Sequence, residues 1–227
     1  MTRHVFGSSD ALAAELVRLT LEHAEESVTA RGRFTLALTG GSAASTMYPI
    51  LAQAPLPWAQ VEIYFGDERC VPPDHADSNF ALAKTTLLDR TPIPPANVHR
   101  IKGEIDPAAA ADEYAKILPV LDVLHLGMGP DGHVLSLFPG HPLLASDRTV
   151  AHLTDSPKPP PARVTLCLPA VAKARSVWFL VAGANKADAV RQALDPSSPL
   201  PAARAAKVAQ DVRWLLDADA AKHIRNG

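Results

Sequence analysis

The stretch Gly127-Met128-Gly129-Pro130-Asp131-Gly132-His133 sets a carboxylate two residues before an imidazole, across a glycine bend. An imidazole titrates near neutrality, so His133 can take a proton from water or return one to a leaving oxygen. Asp131 can orient that ring or stabilise its protonated form; a loop histidine hydrogen-bonded for structure is the plain alternative. Gly40-Gly41-Ser42 offers a second chemistry. Its glycines let backbone approach a ligand, the N–H groups that open a helix attract an anion, and Ser42 adds a hydroxyl. A simple tight turn would read the same way. In Asp67-Glu68-Arg69 the planar fork of the arginine matches a phosphate, or else the three residues form a surface ion-pair cluster. Lys186 opens a helix after Gly183, where a cation opposes the helix dipole. That placement suits an anionic ligand, or a solvated lysine.

Other signals are weaker. Gly127 to Gly132 fits G-x-G-x-x-G, and Asp147 lies at a plausible distance for a ribose acid. Asp131 would face a pyrophosphate there, and Pro139-Gly140 ends any following helix too soon, so the match reads as false. His125 interrupts an apolar strand and reads as a core or interface residue. His75, His99, His141 and His152 have no metal-ligand spacing. Cys70 and Cys167 form no CxxC pattern, and no G-x-S-x-G elbow is present.

These residues need elements to hold them. Ser8, Ser9 and Asp10 predict a cap for a helix with Leu12, Leu16 and Leu19 on one face. Strands are predicted at 34–38, 61–65, 121–126, 163–168, 176–181 and 212–216. Helices are predicted after Ser42, with Pro49 kinking or restarting it, from Asp77 or Ser78 to Leu88, over 107–118, and after Lys186 through Leu194. Alternating strands and helices imply one α/β domain over 1–227 with a mainly parallel sheet covered on both faces. Ligands bind at the carboxyl ends of such strands. The loops GGS, GDER, GMGPDGH and AGANK all fall at those ends.

Composition limits the function classes. The 227 residues carry a formal net charge of −2, with no basic excess to drive nucleic-acid or anionic-membrane binding. No apolar run reaches the length of a membrane span, and MTRHVFGSSD predicts no secretory signal. A reduced cytoplasm fits the two separated cysteines. The prolines cluster in PPDH, TPIPP and SPKPPP, read as loops.

Taken together, LALTGGS, VEIYFGDERCVPPDHADSNF, LDVLHLGMGPDGHVLSLFPGHP, RVTLCLPAV, VWFLVAGANKADAV and RWLLDADAA resemble the 6-phosphogluconolactonase family, in order and over nearly the whole chain. The resemblance implies a modified Rossmann-like single domain and an enzyme, with no metal or organic cofactor implied. It implies hydrolysis of 6-phospho-D-glucono-1,5-lactone to 6-phosphogluconate in the oxidative pentose phosphate pathway; a monomer and a homodimer are both open expectations. His133 would act as general acid/base with Asp131 behind it. Gly40, Gly41, Ser42, Arg69 and Lys186 would hold the phosphate, with Asp67 and Asn79 lining the sugar site. Two departures stand out: Ala43-Ala44 replace the family's Thr-Pro, and Val134-Leu135-Ser136 replace its Thr-Ala-Ser. The nearest rival is the glucosamine-6-phosphate deaminase, whose glutamate five residues after the histidine is here Phe138 and whose DEY is here Asp67-Glu68-Arg69. A non-catalytic sugar-phosphate sensor is the third reading; the DNA-binding module such sensors carry is not expected ahead of Ser8.

Overall fold

The computed structural model describes residues 1–224, so the last three residues of the range 1–227 lie outside the described residues. Nine strands and eight α-helices run in the order β1 (Thr2–Phe6), α1 (Ser9–Arg31), β2 (Phe34–Leu38), α2 (Gly41–Leu51), β3 (Val61–Phe65), β4 (Asp67–Arg69), α3 (Asn79–Thr86), α4 (Pro107–Ile117), β5 (Val123–Leu126), β6 (Val150–Leu153), β7 (Arg163–Leu166), α5 (Leu168–Lys173), β8 (Ser176–Val181), α6 (Ala187–Ala193), α7 (Pro201–Val208), β9 (Val212–Asp217) and α8 (Ala218–Ala221). Short 3₁₀ turns fill several connections, including Ala184–Lys186 ahead of α6.

Six strands form one parallel sheet in the order β1-β9-β8-β5-β2-β3. Every residue of β2, β5 and β8 is buried, so both faces of the sheet are covered. Seven of the helices fall into two packed groups, α1 to α3 and α5 to α8, and α4 packs on β6 and β7. The core carries Trp178, Trp214, Tyr48 and Phe179, with the Phe179 and Trp214 rings stacked at 3.9 Å. The fold is thus the α/β arrangement on a mainly parallel sheet that the alternation of elements implied, and the Rossmann-like one that the resemblance implied.

Local rules explain the boundaries. Ser8 caps α1 by accepting from the Ala11 N–H, and Gly32 closes it at φ 74°, a left-handed turn. Ser78 caps α3 and Asp106 caps α4, where Pro107 occupies the first turn. Pro49 neither ends nor restarts α2, which runs unbroken to Leu51. Pro49 stands in the last turn, and the carbonyl it leaves without an amide donor belongs to Ser45, an exposed residue that water can serve.

The second sheet was not foreseen. β4, β7 and β6 pair antiparallel, in the order β4-β7-β6. Asp67-Glu68-Arg69, read as a loop, is therefore an edge strand of this sheet. The strand expected at 163–168 runs only over Arg163–Leu166, because Cys167 and Leu168 already open α5, and it belongs to this sheet rather than to the parallel one. The effect is to lay a small sheet across the carboxyl ends of the large one, at the side where β3 ends.

Chain order also sets the ligand crevice. From β2 the chain moves outward to β3 and then returns to β5 on the other flank. The gap between the β2 and β5 ends is a topological switch point, where open parallel sheets bind ligands. The two loops are tied there by the Gly127 N–H donating to Thr39 Oγ1 at 3.0 Å.

Candidate active site

The loop after β5 folds tightly on itself. The Gly132 N–H donates to the Gly129 carbonyl and the Gly129 N–H to the His133 carbonyl, each at 2.9 Å, with Gly132 at φ 77°. This turn swings Asp131 back onto the imidazole, with Oδ1 2.5 Å from His133 Nδ1. Burial, opposed by the hydrogen bond and charge of His133 and then by Lys158, sets the Asp131 carboxyl; the attractions win and hold it down to about 2. An ionised carboxylate only accepts, so Nδ1 carries the proton, and in the neutral ring Nε2 keeps its lone pair. Burial is also the main influence on His133 and pulls its pKa below the ordinary histidine value. Asp131 pulls it back upward and Lys158 pushes it further down.

The chain continues through Leu135, whose φ of 56° is left-handed for a branched side chain. That bend lets Ser136 Oγ donate to Asp67 Oδ2 at 2.7 Å and lays the Phe138 ring 4.8 Å from the His133 ring. Asp67 is buried, and its Oδ1 accepts from Asn79 Nδ2 at 3.1 Å. Asn79 in turn fills the space over Gly40, where a Cβ would lie 1.9 Å from Asn79 Oδ1. The phosphate-type loop is thereby packed against the Asp67 corner of the site.

Glu68 is structural. Its carboxylate accepts from the backbone N–H groups of Arg69, Asn79 and Phe80 and from Ser78 Oγ, which fastens β4 to the start of α3. Burial raises its pKa against those four bonds. Among the described residues Arg69 forms no ion pair with Asp67 or Glu68, so the surface-cluster alternative does not form. Its guanidinium donates instead to the Asp77 carbonyl. Among the described residues Arg69 Nε and Asn79 Oδ1 are buried polar atoms without a partner, and both belong to residues lining the same cleft.

That cleft has a volume of about 290 Å³. The structure brings Gly40, Gly41, Ser42, Asp67, Arg69, Asn79, His133 and Lys186 together in its walls, and Asp131 stands behind His133. Lys186 is half-buried; burial and then the nearby Lys158 lower its pKa. Gly183 presents it by turning at φ 99°, held by its N–H on the Asp217 carboxylate at 3.0 Å. His125, by contrast, is fully buried in β5 between Tyr48 and Trp178, and desolvation drives its pKa down to about 3. It is a core histidine.

Two cations in the cleft were not singled out beforehand. Lys158 comes from the proline loop SPKPPP and Arg163 from the start of β7. The one available signal was Arg163 opening an apolar strand; nothing in the spacing links residue 158 to residue 131. Arg69, Lys158, Arg163 and Lys186 thus converge on two carboxylates, a local positive excess in a chain of net charge −2. Among the described residues no three His, Cys, Asp or Glu side chains are grouped to hold a metal.

A doubly wound sheet whose strand ends gather a histidine–carboxylate pair and several cations defines an α/β protein with a positively charged cleft at its switch point. Residues 7–214 match the family described as glucosamine-6-phosphate isomerases/6-phosphogluconolactonase, and the chain belongs to that family. It is 43% identical to the human 6-phosphogluconolactonase, over 96% of this chain and 92% of the relative. It is 40% identical to the 6-phosphogluconolactonase of Mycobacterium bovis, over 97% of each. The solved 6-phosphogluconolactonase of Trypanosoma brucei superposes with a TM-score of 0.85 at 29% identity, covering 99% of this chain and 98% of that one.

Proposed function

We propose that the chain hydrolyses 6-phospho-D-glucono-1,5-lactone to 6-phospho-D-gluconate, with His133 as the general acid/base. The chain is an ester hydrolase that opens a lactone, as its full-length relatives are named for doing. The observation that carries the mechanism is the 2.5 Å contact of His133 Nδ1 with Asp131, which leaves Nε2 as the basic nitrogen. Water attacks the lactone carbonyl carbon as Nε2 takes its proton. Asp131 offsets the charge of the imidazolium that forms. The tetrahedral intermediate collapses by breaking the bond to the ring oxygen, which receives the proton from Nε2. The ring returns to its starting state, and the product is the open-chain acid. Arg69, Lys186 and the N–H groups at Gly41 and Ser42 hold the phosphate. Asp67 and Asn79 contact the sugar hydroxyls.

The deaminase reading loses support at residue 138. A glutamate needed to complete a proton relay is replaced by a phenylalanine that packs on the histidine ring. The test is a paired assay. The purified protein should open the phosphorylated lactone well above the spontaneous rate and release no ammonia from glucosamine 6-phosphate. Comparable ammonia release would overturn the assignment. Binding of either sugar phosphate without turnover would instead favour a sensor.

A further inference from the structure

Lys158 reaches across the cleft from the proline loop to the back of the histidine. Its Nζ lies 3.2 Å from Asp131 Oδ2 and 3.3 Å from His133 Nδ1. An ammonium has no lone pair and Nδ1 already donates to Asp131 Oδ1, so the second distance is proximity rather than a bond. The lysine and the histidine therefore divide one carboxylate, each with its own oxygen.

The lysine is held for this task. Its N–H donates to Ser156 Oγ at 3.2 Å, and the same hydroxyl donates to its carbonyl at 2.8 Å. The Arg163 guanidinium donates to the carbonyls of Lys158, Pro159 and Pro160, each at 3.1 Å. Arg163 also stands over the Phe138 ring at 6.0 Å, and Phe138 packs on His133. A closed circuit results, from His133 through Asp131, Lys158, Arg163 and Phe138 back to His133.

We propose that Lys158 is a positioning residue for the general base, fixing Asp131 through Oδ2 so that Oδ1 keeps Nδ1 as the donor and Nε2 as the acceptor. It rests on the reading of His133 as that base. Asp131 alone would favour a histidine that stays protonated and cannot accept. Lys158 offsets that charge while leaving the hydrogen bond in place. The other charged groups acting here are Asp67 from β4, which favours the protonated ring, and Lys186, coupled to Asp131 and Lys158.

The experiment compares wild type, Lys158→Met, Lys158→Gln, Lys158→Arg and His133→Ala across pH on the phosphorylated lactone, with the His133 imidazole followed by NMR. Lys158→Met and Lys158→Gln should lose roughly 10–100-fold in kcat, a part of the roughly 10²–10⁴-fold that a positioned general base contributes, with little change in KM. The acid limb of kcat/KM and the His133 titration should both move to higher pH, and Lys158→Arg should restore most of the rate. Met keeps a stem of similar length and Gln keeps a neutral donor, so a shift shared by the two reports charge rather than packing. A loss confined to KM, with the limb unmoved, would make Lys158 a phosphate ligand and overturn the proposal. An inactive His133→Ala beside Lys158 variants of normal kcat and pH profile would overturn it alone. A fully active His133→Ala would remove the general base and this role with it.

Discussion

Gly129 and His133 face each other so closely that a Cβ on residue 129 would lie 2.0 Å from the imidazole Nδ1 and 2.4 Å from Asp131 Oδ1. The requirement is close approach, not a left-handed backbone, and any side chain must displace the ring or the carboxylate. Gly129→Ala should therefore lower kcat by about 10²-fold, within the usual worth of a general base. Gly7, with nothing within 4 Å of its added Cβ, is the control, and Gly7→Ala should turn over normally. Steady-state kinetics on both variants checks this; a normal kcat for Gly129→Ala would mean that the loop yields without losing the pair.

The contrast between Asp131 and Lys158 shows how far the sequence could be read. Asp131, Gly132 and His133 are contiguous, and a two-residue spacing across a glycine has a local geometric meaning. Lys158 meets them only because β7 turns antiparallel to β4 and carries the proline loop over the cleft. Long-range pairing of that kind leaves no periodicity. The same reason hid β4: two acidic residues and an arginine have no strand propensity, and Glu68 is buried only because four donors converge on it. β1 and β6 were missed because each is an edge strand of its sheet, with polar residues breaking its apolar pattern. The strands of the parallel sheet centre were legible because burial on both faces makes them continuous apolar runs.

The two histidines near the β5 end should separate cleanly on mutation. His133→Ala should cut kcat by roughly 10²–10⁴-fold while the fold persists. His125→Ala removes a fully buried ring from between Tyr48 and Trp178 and should cost roughly 2–4 kcal/mol of stability, with kcat per folded molecule near normal. Denaturant melts run beside the kinetics check both. A folded, inactive His125→Ala with an active His133→Ala would reverse the assignment.

His125 also predicts how stability depends on pH. Its folded pKa is pushed down to about 3, below the ordinary value of 6.5, because a charged imidazole is not tolerated in the core. The unfolded chain thus binds the extra proton first. This contribution is fully present above pH 6.5 and is lost as pH falls toward 3, at up to about 1.4 kcal/mol per pH unit. His125→Gln cannot titrate and should show a shallower loss between pH 6 and 4. The check is the difference in unfolding free energy between wild type and variant across that window; parallel curves would contradict the assignment of a neutral core histidine.

Arg69 and Lys186 carry the last prediction, that they bind the substrate's phosphate. They come from different strand ends, β4 and the turn after β8, and line one cleft with the Gly41-Ser42 start of α2. The chain has no general positive field, so a doubly charged phosphate must be drawn by these local groups. Arg69 lines the cleft, donates to the Asp77 carbonyl and, among the described residues, is free of the ion pair with Asp67 or Glu68 that would have made it purely structural. Lys186 is half-buried beside Lys158, and burial and then that like charge lower its pKa, so an anion would relieve the strain of both. A hydrogen bond to a charged group is worth about 1.5–3 kcal/mol, so Arg69→Ala or Lys186→Ala should each lose roughly 10–150-fold in kcat/KM on the phosphorylated lactone. Unphosphorylated gluconolactone should be a poor substrate for the wild type and nearly indifferent to either change, because the lost contact does not reach it. Measuring kcat/KM for both lactones with all three proteins, after subtracting spontaneous hydrolysis, decides the matter. Equal losses on the two lactones would assign these cations to the chemical step or to the fold. A loss on the phosphorylated lactone for Lys186 alone would leave Arg69 as a prop for the Asp77 carbonyl and the loop before α3.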